Sequence, residues 1–165
     1  MNEFLWLIPA LPLAGALILI LTRGNLSRTV ASIIGAGSVG MAAIVTILIN
    51  LDFISSGQQA YHQVLWTWMN VDGFAPAFAF YLDALSVIFI FVITFVGFLI
   101  HIYSIGFMAD DAGFSRFFTF LNLFVCSMLI LVLADNLVLL YLGWEGVGLC
   151  SYLLIGFWYE EAKNG

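Results

Sequence analysis

Residues 137–158 read Leu-Val-Leu-Leu-Tyr-Leu-Gly-Trp-Glu-Gly-Val-Gly-Leu-Cys-Ser-Tyr-Leu-Leu-Ile-Gly-Phe-Trp. A helix needs about 20 mostly apolar residues to cross a bilayer, and this stretch has that length with one charged side chain, Glu145. Four more segments pass the same test: Phe4–Leu21, Thr29–Ile49, Ala84–Met108 and Phe114–Leu133. Composition agrees, at 64% hydrophobic and 8% charged over 165 residues, against about 25% charged in soluble domains. The expected fold is an all-α polytopic membrane protein with five transmembrane helices.

The spans are linked in ways that set their arrangement. Pro9 and Pro12 fall near the start of the first helix, where proline is tolerated best. That first run is spanning length and preceded only by Glu3, unlike the basic start of a signal peptide, and is read as a retained helix. Ala134-Asp135-Asn136 separates the last two spans and suits a tight helical hairpin, with Asp135 or Asn136 capping the fifth helix. Arg23, Arg28, Arg116 and Lys163 all fall on one side of five alternating spans. The positive-inside rule makes that side the inside, with the N-terminus outside and the C-terminus inside.

The loop Leu51–Asp83 is then external, with Asp52, Asp72 and Asp83 and no Lys or Arg. Leu65–Met69, an Asp72-Gly73 turn signal and the alternating Phe74, Phe78 and Phe80 predict a β-hairpin. Pro76 would confine its second strand to an edge. So aromatic a loop suits the membrane interface or a neighbouring subunit.

Glu145 is the residue to explain. It lies about three residues from the middle of its span, roughly 4–5 Å from the bilayer centre at 1.5 Å per residue. An ionised residue there costs at least about 2.5–3.5 kcal/mol. Carboxyls held out of water favour the protonated form, which suits a proton carrier. Gly143, Gly146 and Gly148 surround it and permit close helix approach, so Glu145 is expected to face a bundle interior. Tyr141 and Tyr152 share its face and can hydrogen-bond to it. The alternative is a structural carboxyl bonded to a neighbouring backbone.

His101, some two turns from the inner end of the third span, is the second candidate, as a proton relay; the alternative is an interfacial histidine reaching toward headgroups. Asp83 is expected to cap the third helix. Asn122 and Ser127 are expected to bond between helices. Glu160, Glu161 and His62 read as surface.

Other chemistry is not encoded. Four Lys/Arg cannot track a nucleic-acid backbone. Walker A, GxGxxG, GxSxG and HExxH patterns are absent, as are haem-attachment and iron–sulfur cysteine motifs. Cys126 and Cys150 lie in apolar runs and read as small buried hydrophobes, not metal ligands.

Several stretches together resemble a known family. These are Leu-Ala-Asp-Asn at 133–136 and Leu-Tyr-Leu-Gly-Trp-Glu-Gly-Val-Gly-Leu-Cys-Ser-Tyr at 140–152, with Ile8-Pro9 to Leu13, Trp66-Thr67-Trp68-Met69, Leu82-Asp83-Ala84-Leu85-Ser86, His101-Ile102-Tyr103-Ser104 and Ser115-Arg116-Phe117-Phe118. They resemble the antiporter-like L subunits, called chain 5 in mitochondria, of NADH:quinone oxidoreductase, or respiratory complex I. The resemblance implies a membrane-arm subunit that takes part in proton translocation, with Glu145 as the embedded glutamate. It implies residues 1–113 as the N-terminal chain-5 region and 114–165 as the start of the proton-translocating domain. It implies no cofactor in this chain, with NADH, FMN, iron–sulfur clusters and quinone in partner subunits. The other membrane-arm subunits, lipid and protons are the implied partners, in a bacterial inner or mitochondrial inner membrane. Multi-subunit Na+/H+ antiporters are the nearest alternative, and a non-catalytic assembly module the next. Such subunits run to several hundred residues and about sixteen helices, so a truncated chain or a split gene is expected, with the lysine partner of Glu145 on a helix beyond Gly165.

Overall fold

The computed structural model describes residues 2–68, 70, 72–73 and 75–159. Met69, Phe74, Glu160, Glu161 and Lys163 lie outside the described residues. After a 3-10 turn at Asn2–Phe4 come α1 (Leu7–Leu21), α2 (Arg28–Ser56), β1 (Ala60–Thr67), β2 (Ala77–Asp83), α3 (Ala84–Phe107), α4 (Phe114–Leu133) and α5 (Leu137–Ile155). Among the described residues α2, α3, α4 and α5 are long and apolar enough to cross a membrane, and α1 is shorter. The chain is a mostly helical polytopic membrane protein.

Local chemistry sets most boundaries. Asp83 Oδ1 accepts the Ser86 N–H at 2.8 Å and starts α3. Asn136, rather than Asp135, starts α5 by accepting the Leu139 N–H at 3.0 Å. Side-chain oxygens satisfy the otherwise unpaired amides of a first turn in this way. α1 begins at Leu7, three residues later than its apolar run, and keeps Pro12 inside it. α2 runs seven residues past Ile49 and stops at Gly57, whose φ of +65° suits a left-handed helix cap. That extension is held by packing: the Phe53 and Tyr61 rings meet edge-on at 5.1 Å, and the Tyr61 hydroxyl donates to Asp52 at 2.7 Å.

α4 is the hub. It touches α1, α2, α3 and α5, whereas among the described residues α5 packs mainly on α4, with a smaller contact to β2. Asn122 of α4 sits wholly buried at the meeting of α1, α2 and α4. It accepts from Ser38 at 2.7 Å and donates to the Gly35 carbonyl at 3.2 Å and its own Phe118 carbonyl at 2.9 Å. The backbone of α1 comes so close that a Cβ at Gly15 would lie 2.3 Å from Ser38 Oγ. Small residues that allow such approach, with amides bonded between helices, are the usual means of holding helices together where lipid is as apolar as the core.

Charged and polar contacts close both ends. At one end Arg28 donates to the Ala109 and Asp111 carbonyls, Arg116 to the Phe157 carbonyl, and Trp158 Nε1 to Asp111 Oδ2 at 2.8 Å. At the other end β1 and β2 form an antiparallel pair with a bulge between Val64 and Trp66. β1 starts at Ala60, before the expected Leu65, and ends at Thr67; β2 starts at Ala77, after the expected Phe74, and runs past Phe80 to Asp83, with Pro76 just before it, where its missing N–H costs no ladder bond. Trp66 stacks on Phe78 at 4.5 Å. The sheet is fastened to the α4–α5 turn by Asp135 N–H to Ala79 O at 3.1 Å and Asn136 Nδ2 to Ala77 O at 2.7 Å.

Candidate functional site

The site grows from the way α5 meets α4. Gly143 and Gly146 lie on the packed face: a Cβ at Gly143 would be 2.6 Å from Leu131 N, and one at Gly146 2.6 Å from Ser127 Oγ. At 3.6 residues per turn, positions advance by about 100°. Glu145 is therefore roughly 100° from Gly146 and further still from Gly143, and it is turned away from α4 and exposed in this chain. Within this chain the carboxyl is therefore not enclosed. The glycines do admit a close neighbour, but that neighbour is α4 on the other side of α5. Gly148 shares the outer face and has no atom within 4 Å of an added Cβ.

Tyr141, Glu145, Gly148 and Tyr152 fall within about 60° of one another around α5. Tyr141 neighbours the Glu145 carboxylate, as the one-turn spacing predicts. Tyr152 stands two turns further along the same face. What results is an acid with a phenol beside it, on an otherwise apolar helix, facing away from the five-helix bundle.

His101 lies apart from that group, on α3. It is wholly buried, which removes the interfacial alternative. Its Nδ1 lies 2.7 Å from the Gly97 carbonyl. A carbonyl only accepts, so Nδ1 carries the proton, and in the neutral ring Nε2 presents a lone pair. Nε2 is buried with no hydrogen-bond partner among the described residues. The Phe118 ring of α4 stands 6.0 Å away.

The remaining candidates fall into place as structural groups. Asp83 and Asn136 are caps. Asn122 bonds between helices, and Ser127 packs against Gly146 of α5. Cys126 and Cys150 are free and buried. His62, read as a surface residue, has its Nε2 3.1 Å from Asp135 Oδ2; they are 73 positions apart in sequence, and only the docking of the sheet on the α4–α5 turn joins them. Thr46 and Asn50 of α2, both buried, do not stand out in the sequence. A polar pair spaced i, i+4 within an apolar run is the one signal there.

Comparison with known proteins adds the family. Residues 68–118 match the family model "NADH-Ubiquinone oxidoreductase (complex I), chain 5 N-terminus". Residues 134–165, which contain Glu145, match "NADH:quinone oxidoreductase/Mrp antiporter, TM". The chain is 56% identical over 155 residues to NADH-quinone oxidoreductase subunit L of Escherichia coli (strain K12), covering 94% of this chain and 25% of that protein. It is 50% identical over 156 residues to the subunit of that name in Pseudomonas aeruginosa, covering 93% and 25%. The corresponding protein of Mycobacterium tuberculosis (strain ATCC 25618 / H37Rv) is 47% identical over 162 residues, covering 97% and 25%. The chain thus spans about a quarter of the length of the curated relatives it matches. With both matches in chain order and nearly all of its residues aligned, the chain belongs to the family of antiporter-like L subunits, chain 5, of NADH:quinone oxidoreductase.

Proposed function

We propose that this chain works as part of a membrane-arm subunit of NADH:quinone oxidoreductase, taking part in proton translocation driven by NADH oxidation and quinone reduction in partner subunits. The observation that carries the reading is Glu145: a carboxylate within a spanning helix, beside a tyrosine hydroxyl, on a face that these five helices leave uncovered. Ionisable residues inside a membrane are rare and mark ion or proton pathways. Glu145 is the proton carrier in this reading, with Tyr141 and Tyr152 beside it and His101 as a relay on α3.

The same reading takes α1 as a fifth span, the first three helices with the hairpin as an N-terminal region, and residues from 114 onward as the start of the translocating domain. Arg23, Arg28 and Arg116 flank helix ends that the Arg28 and Arg116 contacts draw together. Under the positive-inside rule that end faces the cytoplasm, the hairpin faces outside, and the membrane is the bacterial inner membrane. Lipid, protons and the other membrane-arm subunits are the partners, and the redox cofactors belong to those other subunits.

The test is Glu145→Gln in the full-length protein within its assembled complex. Protons moved per NADH oxidised are expected to fall while the complex still assembles. Unchanged stoichiometry would remove Glu145 from the path, and loss of assembly would favour a structural carboxyl. The description of the second matching family, which names an antiporter alongside the oxidoreductase, supports one other reading: a subunit of a multi-subunit Na+/H+ antiporter. A complex purified through this subunit that exchanges Na+ for H+ without oxidising NADH would select it.

A further inference from the structure

The seam between α2 and α3 carries a polar pair that neither helix satisfies. Among the described residues five serines and threonines are buried: Ser32, Thr46, Thr94, Ser104 and Thr119. Four bond back to their own helix, Ser32 to Arg28 O at 2.7 Å, Thr94 to Ile90 O at 2.7 Å, Ser104 to Ile100 O at 2.8 Å and Thr119 to Ser115 O at 2.9 Å. Thr46, fully buried, is the exception, and its Oγ1 has no partner. The bond to the carbonyl four residues back is open to any helical threonine, and the buried Thr46 hydroxyl does not make it.

Asn50 lies one turn further along the same face of α2. Its Nδ2 donates to Val87 O of α3 at 3.0 Å, which fixes the amide's orientation, since the reverse would set two oxygens against each other. Its Oδ1 is then buried without a partner. A buried polar group left unpaired loses its hydration with nothing to replace it, and here two lie on adjacent turns. Side chains four apart on a helix have Cβ atoms about 5–6 Å apart. A water bonded at about 2.8 Å to each of two oxygens bridges up to about 5.6 Å, the same order as that spacing.

We propose that the α2–α3 seam binds an ordered water that bridges Thr46 Oγ1 and Asn50 Oδ1. Water fits the site's chemistry: it donates to the Asn50 carbonyl oxygen and pairs with the Thr46 hydroxyl as acceptor or donor. A buried water takes about two to four polar partners. A cation would seek roughly six oxygens and a carboxylate, and this pair supplies two neutral oxygens. Ile49, next to Asn50 in sequence, and Ile90, three residues past Val87 on α3, are both fully buried and belong to one hydrophobic cluster. The inference does not depend on proton translocation.

The test is a high-resolution map of the full-length protein in its lipid-embedded complex. The expected result is a density peak within about 3.2 Å of both oxygens, retained in Thr46→Ser and lost in Thr46→Val with Asn50 still on Val87. A Thr46 hydroxyl bonded to the Ala42 carbonyl, or a side chain from elsewhere in the subunit seated between the two oxygens, would overturn it. Radiolytic labelling in isotopic water gives a second readout that needs no variant structure. Uptake at Ile49 and Ile90 is expected to be several-fold higher in wild type than in Thr46→Val, and equal uptake would count against a bound water.

Discussion

Asp83 ends β2 and begins α3, and the two roles meet in one carboxylate. Its Oδ1 takes the Ser86 N–H, and that backbone bond holds the carboxyl below the usual aspartate range. A depressed folded value gives stability that is complete above the unfolded pKa and is lost as pH falls through the folded one; alkaline pH leaves it unchanged. Thermal unfolding in detergent should show Asp83→Ala less stable by about 1 kcal/mol at neutral pH, the usual worth of a helix cap. Asp83→Asn should keep most of the cap and lose this part of the acid dependence. If alanine matches wild type, the cap contributes nothing measurable. Glu145 contrasts with Asp83. It is exposed in this chain, with Tyr141 as a neighbour, so its chemistry depends on what covers the outer face of α5.

At the scale of elements, α5 has two working faces. The inner one is a close contact: a side chain at Gly143 would meet the backbone of Leu131 at 2.6 Å, which cannot move aside as a flexible side chain can. Gly143→Ala should force α5 away from α4 and lower stability by about 1–3 kcal/mol, as overpacking generally does. Gly37→Ala is the control. It lies within α2 with nothing inside 4 Å of the added Cβ, so it should be neutral or raise stability by up to about 1 kcal/mol through helix propensity. Equal effects in the two variants, read by thermal unfolding, would mean that α5 does not sit closely on α4. The outer face, with Glu145 and Tyr141, is held at a set angle by that contact, so Gly143→Ala should also impair any transport that passes through Glu145.

For the whole molecule, polar contacts gather at the two ends and small residues and buried amides along the middle. One end joins the α1–α2 turn, the α3–α4 turn and the α5 terminus through Arg28, Arg116 and Asp111; the other joins the hairpin to the α4–α5 turn. A bilayer running between the ends puts them on opposite sides. In cells with the native cysteines replaced, an impermeant thiol reagent added outside should label Gln58→Cys and spare Asn25→Cys. Both positions are exposed. Labelling of Asn25→Cys alone would reverse the orientation, and labelling of both would break the span between them.

Much of this molecule is legible in its amino-acid order. The membrane class follows from composition, because lipid sets the same demand on every exposed residue. The α4 limits and the α3 and α5 starts follow from local chemistry: apolar length, Asp83 and Asn136 as caps, and short turns. Glu145 stands out because one acid in an apolar run is conspicuous without any neighbour being known. Which face of each helix points inward is not legible. In water the apolar face identifies itself, but in a bilayer core and surround are both apolar, and α3 buries Thr94, His101 and Ser104 along with Ile90 while exposing most of its phenylalanine, leucine and isoleucine. Packing alone decides that α4 lies behind Gly143 and Gly146 and that Glu145 looks outward. It likewise brings His62 to Asp135 and leaves the buried hydroxyl of Thr46 without a partner among the described residues. Each of these depends on contacts between residues remote in sequence, and no local pattern encodes them.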